Sequence, residues 1–297
     1  MKQTDSSGLT FRHNYFSDPV CWKALSDLLE DTFHIVISVL DSLGGMEPSS
    51  MPFAWFDASG VCAANLSTFS MPIMVNGQRR KIAALQSGAV RPEHRGKGLY
   101  RDLMRRAFAW IDAEGFELSI LYTDKPAMYD PYGFKTVTVH KFTGPAPKAD
   151  RANPARTLNM DNQDDVTLLT RLIHARAPSS SQFSPLSHPA MFLVNAFWDR
   201  SINLSLIEDR DAVIAWREGE GRTFQLLDVV AEKIPSMRDI TSALCASAAA
   251  IECFFSPDLL DWQAKAVIDE NRLPFMVRGD LSLLPSLPFA LTPMADF

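Results

Sequence analysis

The chain has no excess of positive charge. Its 29 lysines and arginines stand against 35 acidic residues, a formal charge of −6. Nucleic-acid binding usually needs a basic face, so that class is excluded. A mildly acidic surface suits a cationic substrate, and it equally suits a protein that is simply soluble. Long apolar runs are missing too. No stretch reaches the roughly 18 residues of an ordinary membrane-spanning helix, and no membrane partner is expected. The opening MKQTDSSGLTFRHNYF carries no apolar run after its lysine, so it does not read as a secretory signal. Cysteine is scarce. Cys21, Cys62, Cys245 and Cys253 form no CxxC pair and no zinc spacing. They read as reduced, mostly buried thiols of a cytoplasmic protein, and no metal is expected. Two phosphate signatures fail as well. There is no GxxxxGK[ST] string, and the one GxG that opens a helix has Arg101 where a dinucleotide fingerprint needs its third glycine.

What remains is ordinary globular material, with 46% hydrophobic residues over 297 positions. Length alone suggests two domains of about 150 residues. Asp18-Pro19 predicts a helix to about Phe33, with apolar Val20, Leu25, Leu28, Leu29 and Phe33 at near-helical spacing. Strands are predicted over Pro52–Phe56 and Val61–Val75, then a hairpin at Asn76-Gly77 and a return strand Arg80–Val90. Lys135–Phe142 reads as a later strand. Residues Gly144–Arg156 hold three prolines and little that packs, and read as a linker. Beyond it a helix (Asp164–Ala177), strands (Ile202–Glu208, Ala212–Glu218, Thr223–Val230), a helix (Met237–Ala250) and a strand (Ile251–Phe255) repeat the order of the first half. The expected domains are 1–145 and 157–297, joined by a linker at 146–156.

The segment Ala83–Val137 carries the chemistry. Arg95-Gly96-Lys97-Gly98-Leu99-Tyr100 follows a strand and opens an amphipathic helix to about Ala113. Leu99, Leu103, Met104, Ala107 and Ile111 share one face, and Arg101, Asp102, Arg105 and Arg106 are expected to face water. Glycines at such a turn let backbone N–H groups approach a diphosphate, with the positive end of the helix behind them. Gly88, inside IAALQSGAV, suits either a bulge or a close packing contact. A strand at Glu117–Thr123 and the aromatic turn MYDPYGF follow. Tyr129 there, with Tyr132 as its rival, could move a proton.

VRPEHRGKGLYRDLM followed by LYTDKPAMYDPYGF resembles the acetyl-CoA core of the GNAT N-acetyltransferases. That family's loop reads Arg or Gln, two residues, Gly, one residue, then Gly or Ala. Arg95 and Gly98 match, and Tyr100 departs from the last position. The chain looks most like the tandem-domain "enhanced intracellular survival" group, without the sterol-carrier-like domain that group commonly adds. The resemblance implies an α/β (α+β) fold of two tandem GNAT-like domains. Their sheets are mixed and mostly antiparallel with splayed central strands, and the second domain is degenerate. The loop of that second domain, Val230–Met237, has no glycine and one proline.

The resemblance further implies acetyl-CoA as co-substrate. Gly88, Ala89 and Val90 would meet the pantetheine arm and acetyl carbonyl. Arg95, Gly96, Lys97, Gly98, Leu99 and Tyr100 would hold the diphosphate, with Asp124 and Lys125 beside the arm. Tyr129 would be the general acid, and the carboxylate of Phe297 the base, with Asp296, His94 and His34 as alternatives. The expected reaction is direct transfer of acetyl to a primary amine of a small molecule. A protein-lysine acetyltransferase and a non-catalytic acyl-CoA sensor stay open, as does a homo-oligomer.

Overall fold

A computed structural model describes residues 3–4, 8–148, 155–244 and 248–297. They pack as two units, one of Met1–Ser70, Lys81–Leu121 and Phe297, the other of Met71–Arg80 and Tyr122–Asp296. Among the described residues, no helix is long and apolar enough to cross a membrane.

The first unit opens with β1 (Gln3–Thr4) and β2 (Thr10–His13), then α1 (Pro19–Phe33). The start of α1 follows the sequence signal. Asp18 Oδ1 accepts from the amides of Val20 and Cys21, and Pro19 stands in the first turn, where no N–H is needed. Val20, expected on the apolar face, is instead 71% exposed, because Cys21, Leu25, Leu28 and Leu29 make that face. Next come β3 (Met51–Phe56) and β4 (Cys62–Ser70). The strand expected to run to Val75 stops early, because Pro72 cannot donate to a ladder. The hairpin β5 (Ile73–Val75) and β6 (Gln78–Arg80) belongs to the second unit; its turn residues Asn76 and Gly77 have φ of +50° and +74°, as the sequence signal requires. The first unit resumes with β7 (Ile82–Val90), α2 (Leu99–Ala113) and β8 (Leu118–Tyr122). Its strands lie in the order β1-β2-β3-β4-β7-β8, antiparallel except for the parallel pair β7 and β8.

Helix α2 buries Leu99, Leu103, Met104, Ala107 and Ile111, the face read from the sequence. Asp102 and Arg106 do not face water as expected. They are half-buried because Asp102 serves as an anchor: its carboxylate accepts from Trp55 Nε1 of β3 at 3.2 Å and pairs with Arg105 and Arg106 at 2.6 Å each. The Arg106 guanidinium lies 4.0 Å from the ring centre of Phe11 on β2. These bonds fix the helix over the sheet, and with it the loop from which it starts.

The second unit continues with β9 (Lys135–Val137) and β10 (His140–Pro145), two strands where one was expected over Lys135–Phe142. Then follow β11 (Arg156–Thr157), α3 (Gln163–Ala175), β12 (Phe183–Pro185), α4 (Pro189–Trp198), β13 (Asn203–Ile207), β14 (Ala212–Gly219), β15 (Thr223–Val230), α5 (Met237–Leu244), β16 (Ala250–Cys253), β17 (Lys265–Ile268) and β18 (Phe275–Gly279). Its main sheet runs β11-β13-β14-β15-β16-β10-β17, with β15 and β16 parallel. Phe142, Ile214, Leu226, Met237 and Phe255 lie in its core. Strand β12 joins β5 and β6 in a small sheet, and β18 pairs with β9. Of the segment read as a linker, Gly144-Pro145 ends β10, residues 149–154 lie outside the described residues, and Arg156 opens β11; Cys245, far beyond it, also lies outside the described residues. Each unit therefore carries an antiparallel meander whose last strand leads through a helix to a parallel neighbour.

Asp102→Asn should lower stability by about 1 kcal/mol in urea denaturation, since both ion pairs are half-exposed. Burial alone would raise the Asp102 carboxyl, but the hydrogen bonds and charges of Arg105 and Arg106 outweigh it and hold the group below its ordinary value. Its contribution is therefore present above the unfolded carboxylate range near pH ~4 and is lost as pH falls through the lower folded value. The gap between wild type and variant should narrow as pH falls below the ordinary carboxylate range.

Candidate functional site

Loop 91–98 turns the chain from β7 into α2 through two left-handed glycines, Gly96 at φ +76° and Gly98 at φ +82°. Any other L residue would be strained at both. A Cβ placed on either glycine would meet nothing within 4 Å, so their surroundings are open. Gly98 is the N-cap of α2 and supplies no side-chain cap. The first intrahelical bond is Asp102 N–H to Gly98 O at 3.1 Å, so the N–H groups of the first turn point beyond the helix end. Arg95 folds back on the strand, its Nε donating to Val90 O at 3.1 Å. Gly96, Lys97 and Gly98 are exposed, Leu99 is buried beneath them, and Tyr100 is half-buried. This arrangement fits a diphosphate: open space at the two glycines, a helix end without a side-chain cap and the helix dipole converge at one place.

The strand before the loop is bent. Between β4 and β7 the register runs Asn65–Ala89 and then Ser67–Gln86, so Ser87 and Gly88 together face Leu66. This is a β-bulge, and its left-handed residue is Ser87 at φ +56° rather than the glycine. Strand β7 pairs with β8 over Ile82–Leu118, Ala83–Ser119 and Ala84–Ile120, and runs on to Val90 beyond the last pair. The two parallel strands are thus splayed toward the glycine loop.

A buried polar network holds the bulge. Asn65 is wholly buried; its Nδ2 donates to Ser87 O at 2.9 Å and to Ser67 Oγ at 3.1 Å, and its Oδ1 accepts from Tyr15 Oη at 2.6 Å. Burial pushes the Tyr15 phenol well above its ordinary range, with Cys62 and Cys21 adding to the shift, so it stays a donor. The sequence reading missed Asn65 and Tyr15. One amide inside the apolar strand CAANLSTFS was the only trace.

Gly88 serves the second of its two expected uses as well, since a Cβ there would stand 2.7 Å from Tyr100 Oη. A cavity of about 370 Å³ lies elsewhere on this unit, between the first turns of α1, the Ser59–Val61 turn and Arg91; its lining includes none of the expected site residues.

Gly88, Ala89, Val90 and Arg95 through Tyr100 all belong to the first unit. Phe297 also packs in this unit, its ring edge-on to buried Phe69 with centroids 5.4 Å apart. Half-buried His94 and exposed His34, the C-cap of α1, lie here too. The remaining candidates belong to the second unit. Asp124 and Lys125 are exposed and only 3.8 Å apart, a weak surface pair. Tyr129 is half-buried, edge-on to buried Phe134, in a turn closed by left-handed Gly133. Asp296 is paired with Arg272; burial raises its carboxyl above the ordinary value despite the guanidinium. The N-terminus of α5, the counterpart of α2 in the second unit, is closed by its own side chains. Ser236 and Asp239 cap each other across the first turn, Ser236 Oγ donating to Asp239 Oδ2 at 2.8 Å, and Arg210 pairs with that carboxylate at 2.8 Å.

Residues 44–137 match the acetyltransferase (GNAT) domain family, so the chain carries a GNAT acetyltransferase domain that includes the bulged strand, the glycine loop and the aromatic turn. No curated protein matches the sequence. Solved structures show the same fold along almost the whole chain. Eis1 from Mycobacterium abscessus superposes at a TM-score of 0.58 with 15% identity, covering 91% of this chain and 73% of that one. A probable N-acyltransferase from Enterococcus faecalis V583 gives 0.57 at 14% identity, covering 91% and 72%. A GCN5-related N-acetyltransferase from Kribbella flavida gives 0.55 at 15% identity, covering 92% and 72%. The fold is that of the Eis-like GNAT proteins.

Asn65→Ala would leave the Tyr15 hydroxyl and the Ser87 carbonyl without their buried partner. It should cost about 2–3 kcal/mol in urea denaturation. Tyr15→Phe removes one donor and should cost about 1 kcal/mol. Equal effects would show that the bulge is held by something other than Asn65.

Proposed function

We propose that the first unit binds acetyl-CoA and that the chain transfers the acetyl group to the primary amine of a small molecule. The carrying observation is the pair of left-handed glycines in open space at an uncapped helix end, directly after a splayed and bulged strand. The amides at 96–100 take the diphosphate, and the backbone of Gly88, Ala89 and Val90 takes the pantetheine arm and the acetyl carbonyl. The closed N-terminus of α5 supports a single coenzyme site per chain. The neutral amine nitrogen attacks the thioester carbonyl directly and gives up a proton to a base, for which the Phe297 carboxylate is the candidate, and the carbon–sulfur bond breaks as the leaving thiolate takes a proton. Tyr129 is the proposed donor of that proton. The support for it is its phenol, held half-buried by Phe134 in a turn that Gly133 closes.

Calorimetry should show CoA binding to the wild-type chain, and Gly98→Ala should weaken it at least tenfold. No binding at millimolar CoA would sink the reading. Tyr129→Phe should lower turnover by about 100-fold while acetyl-CoA affinity stays within twofold. Unchanged turnover would remove Tyr129 from the mechanism.

A further inference from the structure

We propose that Tyr100 sets the length of acyl chain the site accepts, its ring forming a wall that admits acetyl and excludes straight chains of four carbons. This rests on the acetyl-CoA reading above. The far end of the Tyr100 side chain lies on the main chain of Gly88. A Cβ built on that glycine would stand 2.7 Å from Tyr100 Oη and 3.2 and 3.3 Å from ring carbons Cε2 and Cζ. A side chain at position 88 and the ring at position 100 therefore compete for one volume. That volume adjoins the backbone groups that the reading assigns to the acyl carbonyl.

Neither side of this contact is free to retreat. Ser87, the residue before Gly88, is tied through its carbonyl to wholly buried Asn65. Ala89, the residue after it, is 3% exposed and in register with Asn65. Tyr100 stands in the first turn of α2, between buried Leu99 and the Asp102 carboxylate that bonds Trp55 of β3. A helical side chain at such a position leans toward the N-terminus, here toward β7. The phenol ring is large and stiff, with two torsions. Lengthening the acyl chain drives new methylenes toward this ring, and displacing it would require moving the helix or the bulge. Acetyl presents only a methyl group and stops short. Each methylene refused by a packed wall changes affinity by roughly tenfold or more.

The test is calorimetric and needs no acceptor amine. CoA, acetyl-CoA and butyryl-CoA are titrated into the wild-type chain and into Tyr100→Ala, Tyr100→Phe and Gly88→Ala, with folding of each checked by thermal denaturation. In the wild type, butyryl-CoA should bind at least tenfold more weakly than acetyl-CoA. Tyr100→Ala should bring that ratio below threefold, and Tyr100→Phe should keep it, since the ring and not the hydroxyl does the excluding. Gly88→Ala forces the ring off the strand together with the helix or the bulge that holds it, and should weaken acetyl-CoA relative to CoA. Equal binding of both thioesters to the wild type overturns the proposal, as does a ratio that Tyr100→Ala leaves unchanged. If Tyr100→Ala does not fold, loss of the ratio in Tyr100→Phe overturns it equally. Failure of CoA itself to bind the wild type overturns the coenzyme reading and this proposal with it, a result distinct from binding without discrimination.

Discussion

The first unit depends on one buried amide. Asn65 links Tyr15, Ser67 and Ser87, and so holds a residue of β7 in a left-handed conformation that its side chain would otherwise avoid. The bulge admits two residues of β7 against one of β4. Past it, the strand leaves its parallel neighbour and enters the glycine loop. A polar group placed in an apolar strand costs free energy unless every bond is met, and here all of them are. The result is a fixed bend rather than a hinge, suited to a site that must present backbone amides at set positions.

The two units carry the same order of elements toward different ends. In the first, glycines leave the end of α2 open, and the nearby carboxylate of Asp102 is turned to Trp55 and balanced by two arginines, so it does not oppose an anion there. In the second, Asp239 sits over the end of α5 with Ser236, and its negative charge occupies the position an anion would need. The difference is local chemistry on a shared topology. It follows the general rule that function resides in sites rather than in folds.

Much of this was legible in the sequence because it is local. The Asp18-Pro19 start of α1, the Asn-Gly hairpin, the buried face of α2 and the glycine loop each depend on residues a few positions apart. The bulge lock was not, since Asn65 meets its partners 50 and 22 positions away. Helix α4 leaves no periodic signal in the sequence, because PAMFLVNAFW is apolar nearly all round. Spacing alone places Val20 in the core, and a charged residue in an amphipathic helix reads as solvent-facing, which misplaces Asp102. Pro72 and the break between β9 and β10 split two strands that composition joined.

Strand β10 runs into the start of the proline-rich segment, and it lies inside the seven-stranded sheet, bonded to β16 on one side and β17 on the other. A ribosome releases it more than a hundred residues before either neighbour exists, so its backbone groups wait while the rest of the sheet is synthesised. Cutting the gene at the proline-rich segment would therefore not yield an autonomous C-terminal fragment. It would withdraw an interior slat, leave β16 and β17 with raw edges toward each other, and invite foreign strands to fill the gap.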